Sequence, residues 1–174
     1  MCIRDSAYGV GTNLVTSAEQ PALGGVYKLV QLNGIPRMKI SQQTEKLIIP
    51  SAKKVYRLLG KDGMMLLDLL TTEGETPRPD EDLLALHPSD PFKRAIVKPA
   101  VVRPLLAPLF SAGEWQDHAS LQDKRSDSLA SMATLRGDIS RLHNPTPYKV
   151  SVTPKLKGVM DELYQKEAPP SRLE

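Results

Sequence analysis

Two hydrophobic patterns divide this chain. Up to about residue 110, short apolar runs alternate with turn residues; beyond it, apolar residues recur at helical spacing. At the front, 8–18 reads as a loop followed by one or two helical turns. Residues 26–32 read as a short strand, Asn33-Gly34 as a two-residue hairpin turn, and 37–41 as its antiparallel partner. A second hairpin is expected from 53–59 and 64–70 around Gly60-Lys61-Asp62-Gly63, with Met64, Met65 and the following leucines in the core. Residues 71–82 are polar, acidic and Pro-bearing and read as a mobile loop. Within it, Asp80-Glu81-Asp82 is a solvated turn rather than a metal site, because adjacent carboxylates point apart on most backbones. Another strand is expected at 93–97. The Pro-bearing apolar stretch 101–110 is expected as a short helix or an extended packed segment, ended by Ser111-Ala112-Gly113. Leu121, Leu129, Met132, Leu135, Ile139 and Leu142 form one stripe. They predict a helix over 121–142, weakened at Gly137 by about 1 kcal/mol relative to Ala. A last strand is expected at 148–152, and Thr153-Pro154 makes a good N-cap and first-turn proline. Leu156, Val159, Met160 and Leu163 line the inner face of the closing helix, before a polar tail at 168–174. Strands first and helices afterwards make the fold class α+β.

Composition narrows the function classes. At 174 residues and 40% hydrophobic content, one domain with a real core is attainable. The net charge of +3 suits phosphorylated small molecules and is too weak to argue for nucleic acid. Aromatics, at 5%, are spread too thinly for base-stacking platforms. The single Cys2 leaves no internal disulfide and no cysteine metal cage, and fits a reducing compartment. No apolar run approaches the roughly 18 residues of a membrane span. Met1-Cys2-Ile3-Arg4-Asp5-Ser6 lacks the apolar core of a signal peptide. His87, His118 and His143 lack metal-ligand spacing and are expected on the surface or in loops.

The sharpest chemical signal is Tyr8-Gly9-Val10-Gly11-Thr12, followed by an apolar segment. Glycines let backbone N–H groups turn inward on an anion, and Thr12 adds an N–H and a hydroxyl donor. By itself a Gly-x-Gly is more often a plain tight turn than a phosphate loop. No lysine follows in the manner of an ATPase phosphate loop, and no Ser-His-Asp or Cys-His set can be assembled.

The surrounding text changes the reading. Tyr8-Gly9-Val10-Gly11-Thr12-Asn13-Leu14-Val15-Thr16-Ser17 is followed by Leu23-Gly24-Gly25-Val26-Tyr27-Lys28-Leu29-Val30 and then Pro36-Arg37-Met38-Lys39-Ile40-Ser41. Lys46, Pro50, Lys53 and Arg57 come next. In this order the chain resembles the C-terminal part of the nicotinate phosphoribosyltransferases, whose pattern runs FGVGT-x-LVTS, LGGVYKLV, PRMK(I/L)(S/T) and then TxPG-x-K-x-x-x-R. The resemblance is dense from Tyr8 to about Leu70 and thins to apolar spacing and proline-anchored matches such as Lys98-Pro99-Ala100 and Arg103-Pro104-Leu105-Leu106. Departures are Tyr8 for Phe, Gln42-Gln43 for an acidic pair, and Ile48 and Ser51 for the Thr and Gly around Pro50.

This resemblance implies the end of a truncated α/β barrel, then antiparallel hairpins and C-terminal helices, in the type II phosphoribosyltransferase fold. The expected divisions are a non-native start at 1–6, the end of the barrel core with its phosphate loop at 7–24, a β-rich segment at 25–110 and a helical segment at 111–174. The activity implied is joining nicotinate to phosphoribosyl pyrophosphate with ATP hydrolysis and Mg2+ or Mn2+, giving nicotinate mononucleotide for NAD synthesis. Cytosolic homodimers are implied, with no nucleic acid and no membrane partner. Phosphate binding maps onto Gly9, Gly11 and Thr12, with Arg37 and Lys39 as secondary phosphate contacts. Lys46, Lys53 and Arg57 read better as sheet-face residues balancing Glu45 and each other. The catalytic histidine, the arginine for the nicotinate carboxylate and the aromatic stacking on its ring belong upstream of this loop. No catalytic residue is therefore assigned here, and the chain is expected to be inactive alone. Two other readings stay open: a small β-rich binding module, for RNA or another ligand, and a short product that docks on the full-length enzyme and modulates it.

Overall fold

In the computed structural model of this chain, residues 27–39, 48–117 and 119–167 are described. Ten strands and three helices occur among them: β1 (Gln31–Leu32), β2 (Ile35–Pro36), β3 (Lys53–Leu59), β4 (Met65–Thr72), β5 (Leu83–Leu86), β6 (Arg94–Val97), β7 (Val101–Pro104), β8 (Phe110–Ser111), β9 (Glu114–Trp115), α1 (Leu121–Ala133), α2 (Gly137–Ser140), β10 (Val150–Val152) and α3 (Pro154–Glu167). The architecture is α+β, as the pattern predicts.

Six strands form one mixed sheet in the order β6-β5-β10-β4-β3-β7. All pairings are antiparallel except β10 with β4. The chain itself forces this sheet to curl. Its two edge strands, β6 and β7, are joined only by Lys98-Pro99-Ala100. Six flat strands would set the edges about 24 Å apart, at about 4.8 Å per gap. From Val97 to Val101 an extended chain reaches only about 14 Å. The edges must therefore bend toward each other, and the core shows that they do. Val97 of β6 and Val102 of β7 both pack on one interior cluster of Tyr56, Leu58, Leu67, Leu69 and Ala85. Period-two alternation on β3 and β4 sends these residues inward and leaves Arg57, Asp68 and Leu70 on the outer face. There Leu70 and Leu86 pack with Val152 and with Leu156 and Met160 of α3.

Local chemistry explains the turns. Asn33 and Gly34, at φ 51° and 76°, make the mirror-image turn that suits a two-residue hairpin. The ladder differs from the prediction: Leu32 pairs Ile35 and Gln31 pairs Pro36, so the partner strand is 35–36, while 37–39 are not strand and 40–41 lie outside the described residues. Arg37 N–H still donates to the Val30 carbonyl (2.9 Å), but 27–30 are not strand. The 53–59/65–72 hairpin forms in the predicted place, with a register shift at Leu58/Leu59.

Further expectations change. The segment read as a mobile loop begins two residues later and is tied down: Glu75 N–H donates to the Thr72 carbonyl (3.0 Å) and Asp80 N–H to that of Pro99 (2.8 Å). Strand β5 was not anticipated, because Leu83-Leu84-Ala85-Leu86 is too short for its period to show. Residues 101–110 are extended but not packed; only Val102 reaches the core, and 103–110 are exposed. Ser111-Ala112-Gly113 does not end the segment but turns a second two-residue hairpin, with Ala112 and Gly113 at φ 51° and 85°. The predicted long helix breaks after Ala133. The Thr134 hydroxyl donates to the Ser131 carbonyl (2.7 Å), Arg136 is extended, and only the four-residue α2 follows at Gly137. The final strand is trimmed to 150–152, and α3 starts where predicted, with the Thr153 hydroxyl accepting from Leu156 N–H (3.3 Å).

Candidate functional site

The outer face of the β3–β4 hairpin carries a half-buried charge network. Arg57 and Asp68 lie directly opposite each other in the ladder. Arg57 Nε donates to Asp68 Oδ1 and Nη2 to Oδ2, both at 2.9 Å, a bidentate fork. Nη1 donates to Ser131 Oγ in α1 (3.1 Å), and the Tyr148 hydroxyl donates to Asp68 Oδ1 (2.9 Å). The guanidinium carbon sits 6.0 Å from the centre of the Tyr148 ring. Side-chain exposure is only 19% for Arg57 and 13% for Asp68. Hydrogen bonding to Asp68 holds Arg57 in its charged form, and burial, then the Asp68 contact, pushes the Tyr148 phenol well above its ordinary value. This node ties β3, β4, α1 and the segment leading into β10. It presents no free nucleophile or base.

Lys53 is likewise occupied. Its ammonium donates to the carbonyls of Ile49 (2.7 Å), Ser51 (2.7 Å) and Pro50 (3.3 Å), which accounts for all three protons. Burial lowers its pKa. The turn it closes holds Ser51 at φ 75°, in the left-handed region, with Ser51 N–H donating to the Val30 carbonyl (2.8 Å).

Two open concavities border the sheet. One, of about 260 Å³, is the mouth of the curled sheet, lined by Leu69, Thr71, Leu83, Glu75, Glu81 and Asp82 among others. Glu75 Oε2 accepts from Thr72 N–H (2.8 Å), the Thr72 hydroxyl (2.8 Å) and the Thr153 hydroxyl (2.9 Å). That carboxylate clasps the end of β4 to the start of α3. An anion gains nothing among these carboxylates. The other, of about 520 Å³, runs along the start of β3 opposite Leu106-Ala107-Pro108 and offers mostly backbone and apolar surface.

The sequence-predicted site is only partly in view. Gly9, Gly11, Thr12, Lys46 and His118 lie outside the described residues. Arg37 and Lys39 are exposed on the segment leaving β2, and neither makes an ion pair with a described residue. Lys53 and Arg57 serve the fold through backbone carbonyls and Asp68 and do not balance each other, and Glu45, the other expected partner, lies outside the described residues. His87 is a loop residue whose Nδ1 accepts from the N–H groups of Ser89 (3.2 Å) and Asp90 (3.0 Å), and His143 is exposed. Asp68 was legible in principle: it is the lone charge in Met64-Met65-Leu66-Leu67-Asp68-Leu69-Leu70, and the hairpin register sets it across from Arg57. Ser131 and Tyr148 reach the node over 74 and 80 residues, and no local pattern announces them. Among the described residues, no three His, Cys, Asp or Glu side chains could hold a metal, and no helix is long and apolar enough to cross a membrane.

Fold and site thus define an α+β module built on a curled mixed sheet, whose charged groups serve the architecture and whose described concavities enclose no reaction centre. The family described as nicotinate phosphoribosyltransferase C-terminal domain matches residues 52–160. Nicotinate phosphoribosyltransferase 1 of Arabidopsis thaliana is 43% identical over 171 residues, covering 96% of this chain and 31% of the relative. Nicotinate phosphoribosyltransferase of Caenorhabditis elegans is 41% identical over 180 residues, covering 97% and 31%. The crystal structure of human nicotinic acid phosphoribosyltransferase superposes with a TM-score of 0.69 at 31% identity, over 82% of this chain and 27% of that one. The chain belongs to the nicotinate phosphoribosyltransferase family and represents its C-terminal part. It spans about a third of the length of the curated relatives it matches.

Proposed function

We propose that this chain is the C-terminal piece of an enzyme joining nicotinate to phosphoribosyl pyrophosphate with ATP hydrolysis, giving nicotinate mononucleotide for NAD synthesis. The observation that carries the reading is the match of 96% of this chain to a nicotinate phosphoribosyltransferase. In this reading Gly9, Gly11 and Thr12 hold the sugar phosphate through preorganised donors, and Arg37 and Lys39 add positive charge nearby. Anchoring the phosphate fixes the ribose for displacement at its anomeric carbon. The reacting histidine and the nicotinate-binding groups belong to upstream sequence, and the full-length enzyme works with Mg2+ or Mn2+. The working enzyme is a cytosolic homodimer, and the 174-residue chain alone is inactive.

The test is nicotinate mononucleotide formation from nicotinate, phosphoribosyl pyrophosphate and ATP. The isolated chain is expected to give no product. Joined to the upstream part of the Arabidopsis thaliana relative, it is expected to turn over, with Gly11→Val sharply reducing the rate. Product from the isolated chain defeats the fragment reading. A folded but inert chimera defeats the assigned activity.

A further inference from the structure

Several of the exposed apolar side chains border one end of the curled sheet, beside the start of β3. The β1–β2 hairpin is fastened to the start of β3 through Ser51 N–H to the Val30 carbonyl (2.8 Å) and Ala52 N–H to Gln31 Oε1 (2.8 Å). This hairpin leaves Leu29 61% and Ile35 54% exposed. The segment after β7 departs from the same place: Leu105 N–H donates to the Val55 carbonyl (2.9 Å), and Leu106-Ala107-Pro108 faces Ala52–Tyr56 across the larger concavity. It carries Leu106 at 61% and Phe110 at 65% exposure, the latter edge-to-face with Trp115 at 4.9 Å. An apolar surface of this kind on a water-soluble fold marks an interface.

The occupant follows from chain connection. Relatives of this family carry about two thirds of their length outside the matched part, and the matched part is their C-terminal domain. Upstream polypeptide must arrive at residues 27–30, which the hydrogen bonds above fix at this end. A tethered partner meets this face at high effective concentration, an advantage a second copy lacks. We propose that the face running from Leu29 and Ile35 across the concavity to Leu106 and Phe110 seats the upstream two thirds of the same polypeptide. The hairpin and the segment after β7 then act as two sides of one clasp. This inference rests on the family reading, but it concerns packing, so it can fail while turnover of the full-length relative survives.

The experiment places Leu106→Asp with Phe110→Asp in the 174-residue chain and at the aligned positions of the full-length Arabidopsis thaliana relative. Thermal melting and molecular mass are then compared. The isolated chain is expected to melt within about 2 °C of its parent, and the full-length relative roughly 5 °C or more lower with its oligomeric state unchanged. An unchanged melt in the full-length relative overturns the proposal. So does a loss of oligomeric state without loss of melting temperature, which would assign the face to a second copy. An equal fall in the isolated chain also overturns it, because the face would then be covered within these residues. Should the doubly substituted relative fail to fold, hydrogen exchange on the unsubstituted proteins decides. Amides of β8 and β9 are expected to exchange at least tenfold more slowly in the full-length relative, and equal rates overturn the proposal.

Discussion

Between Lys53 and Val102 the strands bury Leu58, Leu67 and Leu69 almost completely, whereas none of the described residues from 105 to 140 is buried. Both regions are rich in leucine. The difference is in what each apolar side chain meets. On β3 and β4 every inward residue finds another strand of the curled sheet. On α1 the stripe of Leu121, Leu129 and Met132 meets water. Polar contacts hold α1 to the sheet: Ser131 receives Arg57, and the Thr134 carbonyl accepts Met65 N–H at 2.8 Å. The first region is self-sufficient; the second has its shape set by caps, turns and hydrogen bonds while its apolar surface is left over.

The largest expected effect tests that contrast directly. Leu69→Ala removes a side chain at 1% exposure and is expected to cost about 2–5 kcal/mol. Leu129→Ala, at 57% exposure, is expected to change stability by less than about 0.5 kcal/mol. Urea unfolding of the two variants checks the pair. Equal losses would mean that the 105–140 region shares the core.

The next effect falls on the link between the regions. Asp68→Ala strands the Arg57 guanidinium on a mostly covered face and is expected to cost about 3 kcal/mol. Replacing both partners, as Arg57→Met with Asp68→Leu, is expected to recover much of that loss, because no uncompensated charge remains. Denaturant midpoints of the single and double variants settle it. An equally unstable double variant would show that the fork contributes more than mutual neutralisation.

A smaller effect comes from Tyr148. Tyr148→Phe deletes its hydrogen bond to Asp68 and is expected to cost about 1 kcal/mol at neutral pH. Its phenol is raised above the ordinary value, first by burial and then by Asp68. A raised folded value means that the stabilisation is complete below pH about 10, the unfolded tyrosine value, and is lost as pH climbs through the folded one. The parent is therefore expected to lose stability above pH about 10 more steeply than Tyr148→Phe. Melting curves across alkaline pH, with phenolate absorbance alongside, read the difference. Parallel curves would remove Tyr148 from the network.

How far the sequence showed this in advance follows the range of each interaction. The 53–59/65–72 hairpin, its leucine core and the Thr153-Pro154 helix start rest on neighbours close in the chain, and all were legible. The curl of the sheet was not, because it depends on β10 inserting between β4 and β5 after a 45-residue excursion from 105 to 149. The exposed α1 stripe misled for a related reason. Periodicity reports that a face is apolar, not that its partner lies within the same stretch of chain. Of the candidate site, Arg37 and Lys39 are placed and exposed, whereas Gly9, Gly11 and Thr12 lie outside the described residues.

The smallest effect has the opposite sign and was half-written in the sequence. The family pattern that the chain resembles has glycine just after the proline where this chain has Ser51. Ser51 adopts φ 75°, a conformation that costs a residue with a Cβ about 1 kcal/mol or more. The turn holds it there because Ser51 N–H is bonded to Val30 and its carbonyl to the Lys53 ammonium (2.7 Å). Glycine relieves the strain but loses more freedom on folding, so Ser51→Gly is expected to stabilise by only about 0.5 kcal/mol. Ser51→Ala keeps the Cβ and is expected to give no gain. Because the turn anchors the β1–β2 hairpin rather than the 105–140 region, the gain should appear in the melt and in protection of the Ser51 amide, and leave α1 exchange unchanged. A stabilisation by Ala equal to that by Gly would mean that the serine hydroxyl, rather than backbone strain, is what the turn resists.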